Sequence, residues 1–277
     1  MANITAADVA KLRKLTGAGM MDCKKALTEA EGNFDSAIEI LRKKGQKVAS
    51  NRADRESTEG VVLAATTADG KNTVMVSLNC ETDFVAKNDD FIKNTQEILD
   101  IALANLPDTK EDLMGMKISS GLTIQEQTIN LTGVIGEKIE LAFYGKVIGE
   151  STGFYVHSDK KVATIVAANK SGVADEVLKN VAMQATAMNP VALSEKDVPQ
   201  DIIEKELEIG KELAINEGKP AEMAEKISRG RLGRFFKDNT LLNQAFVKDN
   251  KMTVIDYLKS VDSELTIVDF KRFSLRV

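Results

Sequence analysis

Chemistry-bearing residues are scarce in this chain of 277 residues: it has one histidine, His157, and two cysteines, Cys23 and Cys80. One histidine builds no histidine-based metal cluster, and no cysteine lies near it in sequence. A Ser-His-Asp or Cys-His arrangement would have to pass through His157, and no GxSxG nucleophile elbow occurs. Gly17-Ala18-Gly19 lacks the Lys-Ser/Thr that would make it a phosphate loop. No catalytic group, metal or cofactor is therefore expected. The two cysteines form no CxxC and read as free thiols of a reducing compartment. No apolar run reaches membrane-spanning length, and the N-terminus has no basic segment followed by an apolar one. Cationic residues are outnumbered, 37 Lys+Arg against 42 Asp+Glu for a net charge of −5. That excludes a broad nucleic-acid surface while leaving room for a local basic patch. These absences point to a soluble cytoplasmic protein without membrane contact. Its length is enough for a real core and two or more domains.

The chain opens with three short helices. Thr5 is a candidate N-cap, with Val9, Leu12 and Leu15 at helical spacing behind it, and Thr16-Gly17-Ala18-Gly19 ends the helix. Asp22 is expected to cap a helix over 23–30. A third starts at Asp35, with Ala37, Ile38 and Leu41 on one face and Gly45 as its stop. Met20 and Met21 lie between helices in a Gly-rich turn. Core packing and an adaptable binding surface both fit them. Residues 46–59 read as a polar linker with some helical propensity.

From Gly60 the period changes to that of strands. Strands over 61–66 and 73–78 flank Asp69-Gly70, a hairpin signal. A helix over 89–105 carries the stripe Phe91, Ile92, Thr95, Ile98, Leu99, Ala102 and Leu106 and ends at Pro107. Helical segments follow at 112–116 and 123–135, then a strand over 138–143. A second hairpin is expected from 146–150 and 162–168, with Phe154-Tyr155-Val156-His157 leading into its turn, and a helix over 174–188 closes at Asn189-Pro190. Hairpin, strand, helix and proline thus occur twice. Between Asn79 and Asn94 the first copy carries four more residues than the second carries between Asn169 and Asn180.

The excess falls on Thr82-Asp83-Phe84-Val85. Locally, Thr82 reads as an N-cap, Asp83 as a complement to the positive helix end and Phe84 as a core residue. A duplicated scaffold needs no insertion for its core, so the placement shifts the balance toward an exposed, functional loop. Residues 197–237 read as a helical hairpin with the narrow stripes Ile203, Leu207, Gly210, Ala214 and Met223, Ile227, Gly230. Gly218-Lys219-Pro220 forms its turn. Arg229, Arg231 and Arg234 are a local basic patch or a solvated helix end. A short helix over 253–259 and an alternating final strand over 265–277 complete the chain.

Two stretches resemble signatures of the elongation factor Ts family: Leu12-Arg13-Lys14-Leu15-Thr16-Gly17-Ala18-Gly19-Met20-Met21-Asp22-Cys23-Lys24-Lys25-Ala26-Leu27 and Leu78-Asn79-Cys80-Glu81-Thr82-Asp83-Phe84-Val85-Ala86-Lys87. The order of linker, duplicated core and hairpin matches as well. The resemblance implies an α+β fold. Its parts are a small N-terminal three-helix (UBA-like) bundle, a duplicated core of antiparallel sheets with packed helices, and an inserted antiparallel helical hairpin (coiled coil). The expected divisions are 1–54, 55–145, 146–196 with 238–277, and 197–237. It implies a guanine nucleotide exchange factor for elongation factor Tu, meeting that partner in GDP-bound and nucleotide-free forms. Thr82, Asp83, Phe84 and Val85 would disturb the partner's Mg²⁺ site. Arg13, Met20, Met21 and Lys24 would meet its nucleotide-binding domain, Ile135 and Gly136 would extend the contact, and His157 would reach its third domain. Self-association through the hairpin occurs in some members. Some members also continue into a C-terminal helix that touches the partner, a contact expected to be missing here. The competing reading is an RNA-binding or ribosome-associated adaptor without exchange activity, against which stand the acidic balance and the lack of RNP-like aromatic strands.

Overall fold

The structure, a computed structural model, describes residues 4–275. The chain forms two compact units, one from the residues up to Leu63 with Val76–Tyr144, the other from Ala64–Met75 with Gly145–Ser274. The fold mixes helices with antiparallel strands, as expected of an α+β chain.

The first unit begins with α1 (Ala6–Thr16), α2 (Met20–Glu29) and α3 (Phe34–Asn51). Thr5 and Asp8 form a reciprocal capping box: the Asp8 N–H donates to Thr5 Oγ1 and the Thr5 N–H to the Asp8 carboxylate. This satisfies donors that a helix start leaves orphaned. Leu12, Cys23, Ala26, Leu27 and Ala37 interlock as a small core, with Leu12 and Leu27 fully buried. Each buried leucine contributes about 1.5–3 kcal/mol of transfer free energy.

Three local expectations are corrected. Helix α2 starts at Met20 with Gly19 as its N-cap, so Asp22 sits inside the first turn, where its carboxylate accepts from Lys44. Leu15 does not join the stripe of Val9 and Leu12: it is 63% exposed. Helix α3 does not stop at Gly45 but runs to Asn51, so the first part of the expected linker, 46–51, is helix. Gly45 serves a helix crossing. It faces Gly133 of α7 (Ile124–Ile135), and a Cβ on Gly133 would lie 2.4 Å from the Gly45 Cα. Only a bare backbone fits at that distance. A helix can carry the glycine because its cost, about 1 kcal/mol relative to alanine, is offset by packing.

Between the bundle and α7 come β1 (Glu59–Thr66), β2 (Asn72–Cys80), the single turn α4 (Asp83–Ala86), α5 (Asp89–Asn105) and α6 (Lys110–Met114); β3 (Glu140–Ile148) follows α7. The sheet order is β1-β2-β3, and every residue of the central β2 from Thr73 onward is buried. Helix α5 buries Phe91, Thr95, Ile98, Leu99 and Ala102, the stripe read from its period.

The second unit holds β4 (Ser151–Val156), β5 (Val162–Ala168), α8 (Asp175–Met188), a short 3-10 turn at Glu195–Asp197, α9 (Gln200–Asn216), α10 (Ala221–Asn239), β6 (Ala245–Phe246), β7 (Asp249–Thr253), α11 (Val254–Val261) and β8 (Ile267–Ser274). The expected second hairpin is corrected by one strand. Residues 146–148 complete β3, and it is β4 that pairs antiparallel with β5, Ser151 opposite Ala168 and Val156 opposite Ala163. The final strand β8 pairs with β5 on its other side, as its alternation implied. Arg276 and Val277, the end of that expected strand, lie outside the described residues. Val166, Leu178, Val181, Leu241, Leu258 and Ile267 form the core between α8 and the sheet. Helices α9 and α10 pack on each other, with Gly210 and Ala214 against Ala224 and Ser228. The β6–β7 pair had no counterpart in the sequence reading.

The duplication survives in detail. Asp69 Oδ1 accepts the Lys71 N–H and Asp159 Oδ1 the Lys161 N–H, and the residue between is left-handed in both turns, Gly70 at φ 72° and Lys160 at φ 57°. At the far end of each central strand an asparagine holds the neighbouring chain: Asn79 donates to Ser57 O and Asn169 to Glu264 O. The four-residue excess splits, however. Strand β2 continues through Asn79 to Cys80 whereas β5 ends before Asn169, so only half the excess lies in the loop that follows.

The glycine crossing makes an asymmetric prediction. Gly133→Ala drives a methyl into backbone and is expected to cost about 1–3 kcal/mol. Gly45→Ala meets atoms no closer than 3.6 Å and is expected to be neutral or slightly stabilising. Thermal melts of the two variants check this, and equal losses would refute it.

Candidate functional site

The end of β2 turns out of the sheet through Cys80, Glu81 and Thr82, and the chain makes the single turn α4 before α5 begins. On α4, Ala86 is buried, Val85 half-buried and Phe84 83% exposed. The core reading of Phe84 is thereby excluded. Asp83 pairs with Lys87 one turn on, at 2.6 Å, on an open surface. Thr82 occupies the N-cap position without making a side-chain cap bond.

Its hydroxyl is used elsewhere. Thr82 Oγ1 donates to Glu137 Oε1 at 2.8 Å, and the Thr82 and Glu81 N–H groups donate to Glu137 Oε2 at 3.0 and 3.2 Å. In return the Lys138 N–H donates to Glu81 Oε1 at 2.6 Å. Arg52, the residue that closes α3, donates from Nη1 to both Glu81 oxygens at 2.9 and 2.8 Å. Two carboxylates thus cross: each accepts main-chain donors from the segment that carries the other. Charge-assisted bonds of this kind are about twice as strong as neutral ones. Helix α7 is closed beside them by Gly136, left-handed at φ 82°, whose N–H donates to Thr132 O at 2.9 Å. That cap turns the chain into Glu137.

The Lys138 N–H, and then the Arg52 guanidinium, hold the Glu81 carboxyl below the ordinary glutamate value near 4.5. Cys80 lies underneath, fully buried, with its thiol donating to Thr82 O. Burial, with the Glu137 carboxylate adding to it, pushes this thiol up to about 12. It is a neutral packing group at physiological pH, not a nucleophile.

Phe84 borders a groove of 680 Å³, whose apolar lining includes Leu15, Val85, Phe91, Leu131, Val134 and Ile135. The structure therefore brings Phe84, Val85 and Ile135 together, and adds Leu15, which the helical stripe had assigned to the core. The cue for Leu15 is its place in the last turn of α1, just ahead of the break at Gly17. Met20 and Met21 are 47% and 65% exposed, which resolves them as surface residues of the first turn of α2. Arg13 and Lys24 are exposed on α1 and α2. His157 belongs to the second unit, at the β4–β5 turn. Its Nδ1 meets Asp159 Oδ1 at 2.9 Å, the position taken in the first hairpin by the Thr67 hydroxyl on Asp69. Arg52, Glu81, Glu137 and Lys138 escaped the sequence reading as site residues. Their partners lie 29 to 57 positions away in the chain.

An aromatic ring held in water on a braced turn, next to an apolar groove, is suited to entering another protein's surface. The model of the family described as Elongation factor TS matches residues 81–276. Proteins named Elongation factor Ts from Christiangramia forsetii and Flavobacterium psychrophilum are 54% and 53% identical over 99% of this chain and 100% of their own length. One from Cytophaga hutchinsonii is 50% identical over the same shares. These matches place the chain among translation elongation factors. Within that class it belongs to the elongation factor Ts family.

Two predictions follow from the strand end. Cys80 is expected to resist iodoacetamide at pH 8 in the folded protein and to react once the chain is unfolded; mass spectrometry of the alkylated peptide reads this, and rapid labelling of native protein would contradict it. Because the Glu81 carboxyl titrates lower in the folded than in the unfolded chain, its stabilisation is complete above the ordinary glutamate value and is lost as pH falls through the lowered one. Glu81→Gln should therefore be less stable than the parent at pH 7 by about 1.5–3 kcal/mol, a charged hydrogen bond's worth. The gap should narrow below pH 4, and a gap independent of pH would argue against the assignment.

Proposed function

We propose that the protein is the guanine nucleotide exchange factor of elongation factor Tu, promoting GDP release in the cytoplasm. The observation that carries this reading is Phe84, a large apolar side chain left in water on a turn braced by crossed carboxylates. A GTPase holds GDP through a phosphate loop and through Mg²⁺, which demands near-ideal octahedral geometry. Phe84 enters an apolar slot beside the partner's switch region, and Thr82, Asp83 and Val85 fix the geometry of entry. Displacing the elements that hold Mg²⁺ through its waters weakens the phosphate site without any contact to the nucleotide. Asp83 brings Lys87 with it, so the wedge arrives with a charge pair at its base. By linkage, the factor weakens GDP by the same ratio by which GDP weakens the factor. No covalent step is needed.

The remaining contacts follow the resemblance. The bundle, read as UBA-like, meets the nucleotide-binding domain through Arg13, Met20, Met21 and Lys24. Ile135 and Gly136 extend the wedge contact, and His157 reaches the third domain. The RNA-adaptor reading is less well supported. Arg229, Arg231 and Arg234 are each paired with a carboxylate, Glu225, Glu217 and Asp238 respectively, so their charge is largely neutralised along the helix pair.

Phe84→Ala separates wedge from core. A buried phenylalanine truncated to alanine costs about 3–5 kcal/mol, whereas an exposed one costs little. A buried aromatic anchor at an interface contributes about 2 kcal/mol or more. Release of fluorescent GDP from elongation factor Tu is expected to slow roughly tenfold or more with melting unchanged. A parent-like release rate, or a large fall in melting temperature, would reject the wedge.

A further inference from the structure

We infer that Arg52 and Glu81 are positioning residues for the wedge: they lock the Phe84 turn to the helix that carries the N-terminal bundle, so that a partner meets both at a preset spacing. The inference rests on the exchange-factor reading and deepens it. Arg52 terminates α3, an unbroken helix whose other end contributes Ala37 to the bundle core. Its guanidinium grips both oxygens of Glu81, one residue before Thr82 and three before Phe84. Glu81 is simultaneously fixed by the Lys138 N–H, and Glu137 fixes Thr82 from the same connection. The base of the Phe84 turn is thus tied to the end of α3 and to the connection that follows α7. One guanidinium nitrogen shared between both carboxylate oxygens holds Glu81 against separation, and the Lys138 N–H on Oε1 adds the second point that resists rotation.

The consequence is one of preorganisation. The Phe84 turn has a single buried residue, Ala86, so packing alone anchors it weakly. With the latch closed, one arrangement of ring and bundle dominates. Without it the turn samples others, and the apparent affinity falls by the fraction of time spent in the competent one. The bound complex, once formed, is the same. Loss of the latch is therefore expected to raise the factor concentration needed for half-maximal release and to spare the plateau rate. Loss of the ring itself lowers the plateau.

The test measures fluorescent GDP release from elongation factor Tu over a range of concentrations of full-length parent, Arg52→Ala, Arg52→Lys, Phe84→Ala and the Arg52→Ala/Phe84→Ala double variant. Arg52 is a half-exposed helix-terminal side chain, and its removal leaves the Glu81–Lys138 and Glu137–Thr82 bonds in place, so these variants fold. Arg52→Ala is expected to raise the half-maximal concentration by about threefold to tenfold with the plateau retained. Arg52→Lys should fall between it and the parent. In the Phe84→Ala background the same change should have little further effect, since a latch that acts through the ring has nothing left to position. Amide hydrogen exchange of the free proteins over residues 81–88 is read in parallel, and faster exchange there in Arg52→Ala is expected. Parent-like protection of residues 81–88, or an Arg52→Ala effect of full size without Phe84, would overturn the inference and leave the exchange-factor reading standing. A parent that fails to release GDP would overturn that reading, and faster exchange at residues 81–88 would then mark a latch whose role is structural only.

Discussion

Two carboxylates, each accepting main-chain donors from the segment that carries the other, hold the turn on which Phe84 stands. Where a buried strand leaves its sheet its next N–H groups lose their ladder partners, and such a donor left unmatched in a buried setting costs about 1–3 kcal/mol. Glu137 satisfies those of Glu81 and Thr82, and Glu81 in turn satisfies the Lys138 N–H on the facing segment. The solution is symmetrical and ionic, so it also fixes direction. Once Glu81 and Thr82 are held, the next turn leaves the body at one angle, and Phe84 stands on it. The same bonds leave Cys80 beneath a negative charge in an apolar site, which keeps the thiol neutral.

Exposing a phenylalanine forgoes about 1.5–3 kcal/mol that burial would contribute. The fold tolerates this because stability is drawn elsewhere, from the buried β2, the α5 stripe and the bare-backbone crossing of α3 and α7. Leu15, Met20 and Met21 repeat the pattern on the bundle, each at the edge of a Gly-rich break where no further turn of helix covers it. Apolar exposure of this kind is grouped on segments that the core does not need, which supports the proposed partner surface.

The two hairpin-and-helix segments differ where this apolar exposure arises. Turn chemistry at Asp69 and Asp159 and the clamps made by Asn79 and Asn169 are shared. Divergence is confined to the strand's exit. The first copy runs two residues further in β2 and adds the α4 turn, and the second passes directly to α8. His157 sits in the turn of the second copy, where its imidazole does for Asp159 what a hydroxyl does for Asp69.

Sequence alone determined the elements whose signals are local. The α5 stripe, the N-cap at Thr5, the Asp69-Gly70 turn and the alternating final strand depend on spacings of a few residues, and their physics acts over the same span. It also pointed to extra residues at Thr82-Asp83-Phe84-Val85, because a repeat exposes its own insertions, although two of the four extend β2 and two lie in the loop. Tertiary structure decided what distant partners control. Gly45 reads as a helix stop until Gly133 is set against its backbone, so close that Gly133 itself can carry no side chain. Leu15 reads as core by period, yet no neighbour covers the end of its helix. Strand β4 is told from the tail of β3 only by its pairing with β5. Arg52, Glu81, Glu137 and Lys138 look like ordinary surface charges, since a carboxylate's role depends on whose N–H it accepts, and only folding brings those donors within 3 Å or so.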